Sequence, residues 1–235
     1  MSRFSRFVLT AALCLSSGRL AQAETAAPTG HFDGAIHAPF GDISVAIDLA
    51  VENGRLLGRF SNPSEQIHGL PFAAVVVDGS SIELKLKTGS EAQTFRGTLS
   101  ADGRSISGKF LVSVYGVPFD LTRSGDARFD APPTSPAIAQ AFAGVWRGEL
   151  AMPEASLPIV LTLTNRDQQT AVGTWGSDEA VQIPVTIGID GSRVTIASPV
   201  TRGRFTGTID SDGMRLVGTF SEGALELPLT LQKSR

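Results

Sequence analysis

Phe205-Thr206-Gly207-Thr208-Ile209 is followed, after a turn, by Leu216-Val217-Gly218-Thr219-Phe220. In both segments every second residue builds one apolar face, Phe205/Ile209 and Leu216/Phe220, and a glycine takes its middle place. Period-two alternation marks a half-buried antiparallel strand. Glycine weakens a strand, so its presence there requires a cause. A narrow closed barrel supplies one. Tightly coiled strands must bend, and the centre of a small barrel cannot hold a side chain from every strand.

The pattern recurs through the chain. Trp146/Gly148/Leu150 and Ala171/Gly173/Trp175 share it in the second half. Phe32/Gly34/Ile36, Leu56/Gly58/Phe60, Phe95/Gly97/Leu99 and Ile106/Gly108/Phe110 share it in the first. The closing Pro118-Phe119-Asp120-Leu121 returns as Pro228-Leu229-Thr230-Leu231. A repeat of roughly 90–95 residues exceeds a solenoid unit of about 20–50 residues and reads as a duplicated domain. Asn53-Gly54, Asp78-Gly79, Asp102-Gly103, Asp190-Gly191 and Asp212-Gly213 mark tight hairpins between the runs. About eight strands per repeat, spaced by roughly 8–12 residues, match an antiparallel barrel. The expected fold is all-β, two tandem up-and-down eight-stranded barrels.

The organisation follows. Arg3 and Arg6, an apolar run from Phe7 to Leu15 and Ala21-Gln22-Ala23 read as a signal peptide over residues 1–23. Export to the periplasm or the medium is expected. Repeat one spans residues 24–123. Residues 124–143 read as a Pro/Ala-rich linker in which Ala137 to Ala143 can make a short helix of one or two turns. Repeat two spans residues 144–235. Cys14 is the only cysteine and would leave with the signal, so core burial must supply stability. With 20 basic and 23 acidic residues the net charge is −3. Removing Arg3, Arg6 and Arg19 leaves 17 basic residues, a mature charge of −6. No basic stripe points to nucleic acid.

Repeat two carries a recognisable series: Gly144, Trp146, Gly148, Leu150, Gly173, Trp175, Phe205, Gly207, Gly218, Phe220, Leu227 and Pro228. It resembles the small lipocalin-like β-barrel module found ahead of secreted bacterial α/β-hydrolase domains. Repeat one departs at Phe32 and Phe60, where that module has tryptophan. The resemblance implies a barrel fold. It implies no activity, because the matching residues pack the core.

Catalytic chemistry is poorly represented. Gly-x-Ser-x-Gly is absent, and the nearest approach, Gly103-Arg104-Ser105-Ile106-Ser107, falls in a hairpin. A hydrolase would have to use His31, His37 or His68, all in repeat one. His31, Asp33 and His37 share strand parity, a plausible metal-ligand set. That face lies opposite Phe32 and Ile36 and is expected to meet solvent. His31 and His37 would also stand about 20 Å apart at 3.3 Å per residue, too far for one ion. Glu65, Asp178 and Glu179 read as solvated loop carboxylates. No metal or cofactor is expected.

Barrel ends remain. Strand direction brings Phe60, Phe95 and Phe110 together at one end of the first barrel. Trp175, Phe205 and Phe220 meet at the same end of the second, with Phe32 and Trp146 at the opposite ends. These six aromatics either rim a pocket for a small hydrophobic ligand or plug the core. An exported non-catalytic binding protein is the leading expectation. A protein–protein interaction module with filled barrels is the alternative, and an unrecognised hydrolase the third reading.

Overall fold

The alternation and the hairpin turns produce an almost purely antiparallel chain. Its computed structural model describes residues 27–88, 91–113, 115–152, 156–177 and 182–234. The stretch read as a signal peptide with its cleavage site, Cys14, Asp178 and Glu179 lie outside the described residues. Repeat one contains β1 (Gly30–Ala38), β2 (Gly41–Glu52), β3 (Arg55–Asn62), β4 (Ile67–Pro71), β5 (Ala74–Asp78), β6 (Ser81–Thr88), β7 (Glu91–Leu99), β8 (Ser105–Val112) and β9 (Tyr115–Gly125). Their order is β4-β3-β2-β1-β9-β8-β7-β6-β5. After a two-residue β10 (Ser135–Pro136), repeat two contains β11 (Gly144–Ala151), β12 (Ser156–Asn165), β13 (Thr170–Gly176), β14 (Ile183–Asp190), β15 (Arg193–Ala197), β16 (Arg204–Ile209), β17 (Arg215–Glu222) and β18 (Leu225–Lys233). Pairing of β13 with β14 closes this second sheet into an eight-stranded barrel. At Asn53-Gly54 both residues have positive φ, 52° and 75°, as a two-residue hairpin between β2 and β3 demands.

The first sheet curls the same way but is interrupted between β4 and β5. Register identifies the cause. Arg59 faces Pro71 as Thr174 faces Pro184. Val75 faces Leu84 as Ile187 faces Ile196. Three residues separate Pro71 from Val75, but only two separate Pro184 from Ile187. The extra residue, around Ala73, breaks the fourth strand in two, as a bulge does. The Phe72 N–H still donates to Gly58 O at 3.0 Å, and Ala73 N–H to Lys85 O at 2.7 Å. These bonds keep the curl nearly shut.

Glycine earns its place by close approach. Gly97 faces Gly108 across β7 and β8, and Gly207 faces Gly218 across β16 and β17. A Cβ on Gly108 would lie 2.5 Å from Gly97 Cα and would strike Arg96 O. One on Gly58 would meet Phe72 and Leu49 inside the barrel at 2.8 and 3.0 Å. Two causes operate: backbone packed directly against backbone at the first kind of site, and a crowded interior at the second.

In the linker, residues 137–143 make a single turn and no regular helix. Ser135 and Pro136 pair in extended form with Ala171 and Thr170 of β13. Ser135 Oγ accepts from Ile187 N–H at 2.8 Å. Asn165 then holds the Ile138 backbone from both sides, accepting from its N–H at 2.9 Å and donating to its carbonyl at 2.8 Å. Ala137 N–H donates to Gln169 O at 2.9 Å. Groups spent on a neighbouring strand cannot form a helical ladder, so one turn remains, Phe142 N–H to Ala139 O at 2.9 Å. Ile138 and Phe142 are buried in the second core, and the Trp146 indole N–H donates to Phe142 O at 2.9 Å. The linker therefore stops the far end of barrel two.

Candidate functional site

The three aromatics of repeat one gather as strand direction predicts. Phe95 is the hub, with ring centroids of Phe110, Phe119, Phe60 and Phe72 at 4.6, 5.1, 5.7 and 6.2 Å. This cluster fills the end of barrel one. Val200, from the loop after β15, adds to it from the second repeat and is buried in the first core. The Val200 carbonyl accepts from His68 N–H at 2.9 Å. The two barrels are thus joined at their aromatic ends.

The corresponding end of barrel two is open. Trp175 and Phe220 pack edge to face with centroids 5.6 Å apart. Both border a cavity of about 510 Å³. Phe205 is fully buried, pairs with Phe220 across the strands, and does not line the cavity. Leu150, Leu157, Ile159 and Ile183 form the wall. Repeat one supplies the roof through Glu65, Ile67 and Leu70. Asn62 sets that roof by capping the 3-10 turn Pro63–Glu65, its Oδ1 accepting from Ser64 N–H and Glu65 N–H at 3.2 and 3.3 Å.

Polar groups are few. Ser177 Oγ is buried in the cavity lining, with no hydrogen-bond partner among the described residues. Buried hydroxyls are normally paired, and leaving one unpaired costs roughly 1–3 kcal/mol. Arg202 stands at the mouth, its Nη2 3.4 Å from where a Gly223 Cβ would be. No carboxylate among the described residues pairs with it. Ser198 Oγ accepts from Val200 N–H and Thr201 N–H, both at 3.1 Å, and so shapes the loop that presents Arg202. Glu65 and Glu222 complete the rim, both exposed.

A second hollow of about 810 Å³ follows the break in repeat one, between Leu56, Phe72 and Val75 on one side and Phe129 and Pro132 of the linker on the other. None of its lining groups is a buried polar atom left unpaired among the described residues.

The histidines do not converge. His31 was expected at the surface, yet it is 6% exposed. Its Nδ1 lies 2.7 Å from Asp48 and its Nε2 3.1 Å from Asp33. The linker explains the burial: Arg128 N–H donates to Asp48 at 2.7 Å, and Ser124 Oγ–H to Asp33. His37 sits between Asp42 and Asp120, and the His68 side chain is exposed. Every ring nitrogen of His31 and His37 faces a carboxylate, so neither can accept a proton from a serine. Among the described residues no cluster of three or more His, Cys, Asp or Glu has metal-holding geometry. None of their helices is long and apolar enough to cross a membrane.

Hydrogen bonds to Asp120 first, then Asp42, raise the His37 pKa above its ordinary 6.5. The sign is that of a cation gaining partners. This pair's support of the fold is complete below the unfolded pKa and fades as pH rises through the folded one. An NMR titration should give a His37 midpoint above 6.5 that moves back toward 6.5 in Asp120→Asn.

No protein-family profile and no curated protein matches the sequence. Among solved structures, the chain is similar to a protein of unknown function of the DUF3598 family from Nostoc punctiforme. Identity is 13% over 88% of this chain and 96% of that one, with a TM-score of 0.28.

Proposed function

We propose that this chain is an exported, non-catalytic binding protein that holds a small hydrophobic molecule at the mouth of its second barrel. One observation carries the reading: an apolar-walled cavity of about 510 Å³ with a buried, unpartnered hydroxyl in its lining. Ligand sites usually measure about 300–1,000 Å³ and combine apolar walls with a few placed polar groups. The first barrel, filled by its own phenylalanines, serves as the roof. Export is supported by the signal-like pattern of residues 1–23.

An apolar naphthylamine dye tests the reading, with Trp175 as energy donor. The dye should bind the folded protein with transfer from tryptophan. Trp175→Phe should remove most of that transfer and keep the affinity. Ile159→Arg, a charge in the apolar wall, should weaken binding by about tenfold or more, a loss of at least ~1.4 kcal/mol. Failure of the dye to bind the folded protein would overturn the proposal.

A further inference from the structure

We infer that barrel one carries a separate binding site, a slot in its wall that takes an extended peptide from another exported protein as an added strand. The occupied counterpart of this slot is in barrel two. There β13 and β14 part beyond their last shared pair, Gly173 with Val185. Ser135 fills the gap, pairing with Ala171 of β13 and accepting from Ile187 N–H of β14 through its Oγ at 2.8 Å. The same strap delivers Ile138 to the second core. The repeat maps Ala171, Val185 and Ile187 onto Leu56, Phe72 and Val75. Contacts at the central glycines agree: a Cβ on Gly173 would meet Val185 and Ile187, and one on Gly58 would meet Phe72 and Val75.

In barrel one no strand among the described residues lies between β3 and β5 at Leu56 and Val75. The hollow of about 810 Å³ opens there, and Leu56, Phe72 and Val75 all line it. Val75 stands three residues before Asp78 of the Asp78–Ser81 turn, as Ile187 stands three before Asp190 of the Asp190–Arg193 turn. Its N–H therefore points away from β6 and into the slot. Burial separates the repeats. Ala171, Val185 and Ile187 are 0%, 0% and 5% exposed. Leu56, Phe72 and Val75 are only half-buried. Uncovered core surface and an open strand edge thus coincide, and together they recruit an added strand.

The chain does not supply this strap itself after export. Ser135-Pro136 begins nine residues before Gly144, and the same count back from Gly30 reaches Ala21-Gln22. Both fall within residues 1–23, so the outside occupant rests on the export proposed above. Its chemistry follows the strap in barrel two. It is an extended segment with a small hydroxyl residue at Val75 N–H and an aliphatic residue three positions later.

An NMR titration of the 15N-labelled chain from Glu24 onward tests the slot. The probe is the end-blocked peptide Thr-Ser-Pro-Ala-Ile-Ala, the sequence of residues 134–139. The Leu56 and Val75 amides should shift saturably, with Ala171 and Ile187 unmoved. Aspartate in place of the peptide's isoleucine should weaken binding by about tenfold or more. Alanine in place of its serine should weaken it by about threefold, through the lost acceptor. Val75→Pro removes the matching donor from an edge position and should also cost about threefold for the parent peptide. No shift at Leu56 or Val75 with millimolar peptide would overturn the slot, as would equal shifts with the aspartate peptide. Mass spectrometry of the exported chain tests the premise separately. A chain that keeps Ala21 and Gln22 would overturn the outside occupant even where the peptide binds.

Discussion

Gly218→Val is expected to prevent the second barrel from closing, with a stability loss of about 3 kcal/mol or more. Two effects oppose each other at this position. Valine favours strands over glycine by up to about 1 kcal/mol, since its branched side chain suits a pleated surface. Against that, a Cβ at 218 would lie 2.5 Å from Gly207 Cα and would strike Thr206 O. Both obstacles are backbone, and backbone in the middle of a closed sheet cannot turn aside. The six residue pairs between Arg204–Ile209 and Ser221–Leu216 would have to spread. Steric exclusion wins over propensity. Gly188→Ala is the control. It also lies in a strand, but its Cβ would meet only Thr195, at an ordinary 3.7 Å. Alanine there should be neutral or stabilising by about 0.5 kcal/mol, through reduced unfolded-state entropy. Urea denaturation followed by circular dichroism checks both. A Gly218→Val protein with the parent midpoint would refute the close-approach account of these glycines.

The architecture was legible because its causes are local and repeated. Alternation, Asn-Gly and Asp-Gly turns, and glycine at the centre of an apolar face are each written within a few residues. Direction along the hairpins then placed Phe60, Phe95 and Phe110 together without further information. What escaped has non-local causes. The fourth strand of repeat one passes through Phe72-Ala73-Ala74-Val75-Val76-Val77, a continuous apolar run. Alternation is invisible in such a run, so an extra residue leaves no trace until its register is compared with β14. Residues 137–143 favour helix by composition, but Asn165 and β13 claim their backbone groups. Tertiary pairing overrides propensity there. Strand parity put His31 outside the barrel. It is outside, yet buried, because the linker crosses that face at Ser124 to Arg128. The cavity was least legible of all. Trp175 and Phe220 belong to a readable pattern, whereas Ser177 and Arg202 lie in loops between strands and follow no period. Only the meeting of two barrels gives those residues a common surface.

Phe95→Ala should destabilise the first barrel by about 3–5 kcal/mol and leave the second barrel standing. Phe95 is 1% exposed and touches four other rings, so truncation opens a cavity at the hub of the cluster. Lost ring pairs add to the lost burial, at about 0.5–1.5 kcal/mol each. Collapse of the remaining rings is restrained, because Phe60 and Phe110 are fixed on strands flanking the hole. The chain contains its own reporters. Its two tryptophans, Trp146 and Trp175, are both in repeat two, and its single tyrosine, Tyr115, is in repeat one. Tryptophan fluorescence therefore follows the second barrel, whereas far-ultraviolet circular dichroism follows both. In Phe95→Ala the dichroism should show an early transition that precedes the tryptophan transition. Coupling through Val200 and the His68 N–H bond will transmit part of the loss to barrel two, lowering the second midpoint by less than the first. Phe205→Ala, the matching change in the second barrel, should reverse the order and bring the tryptophan transition forward. Coincident transitions in both variants would show that the barrels unfold as one unit, and would mean that the contact between their aromatic ends outweighs the separation of their cores.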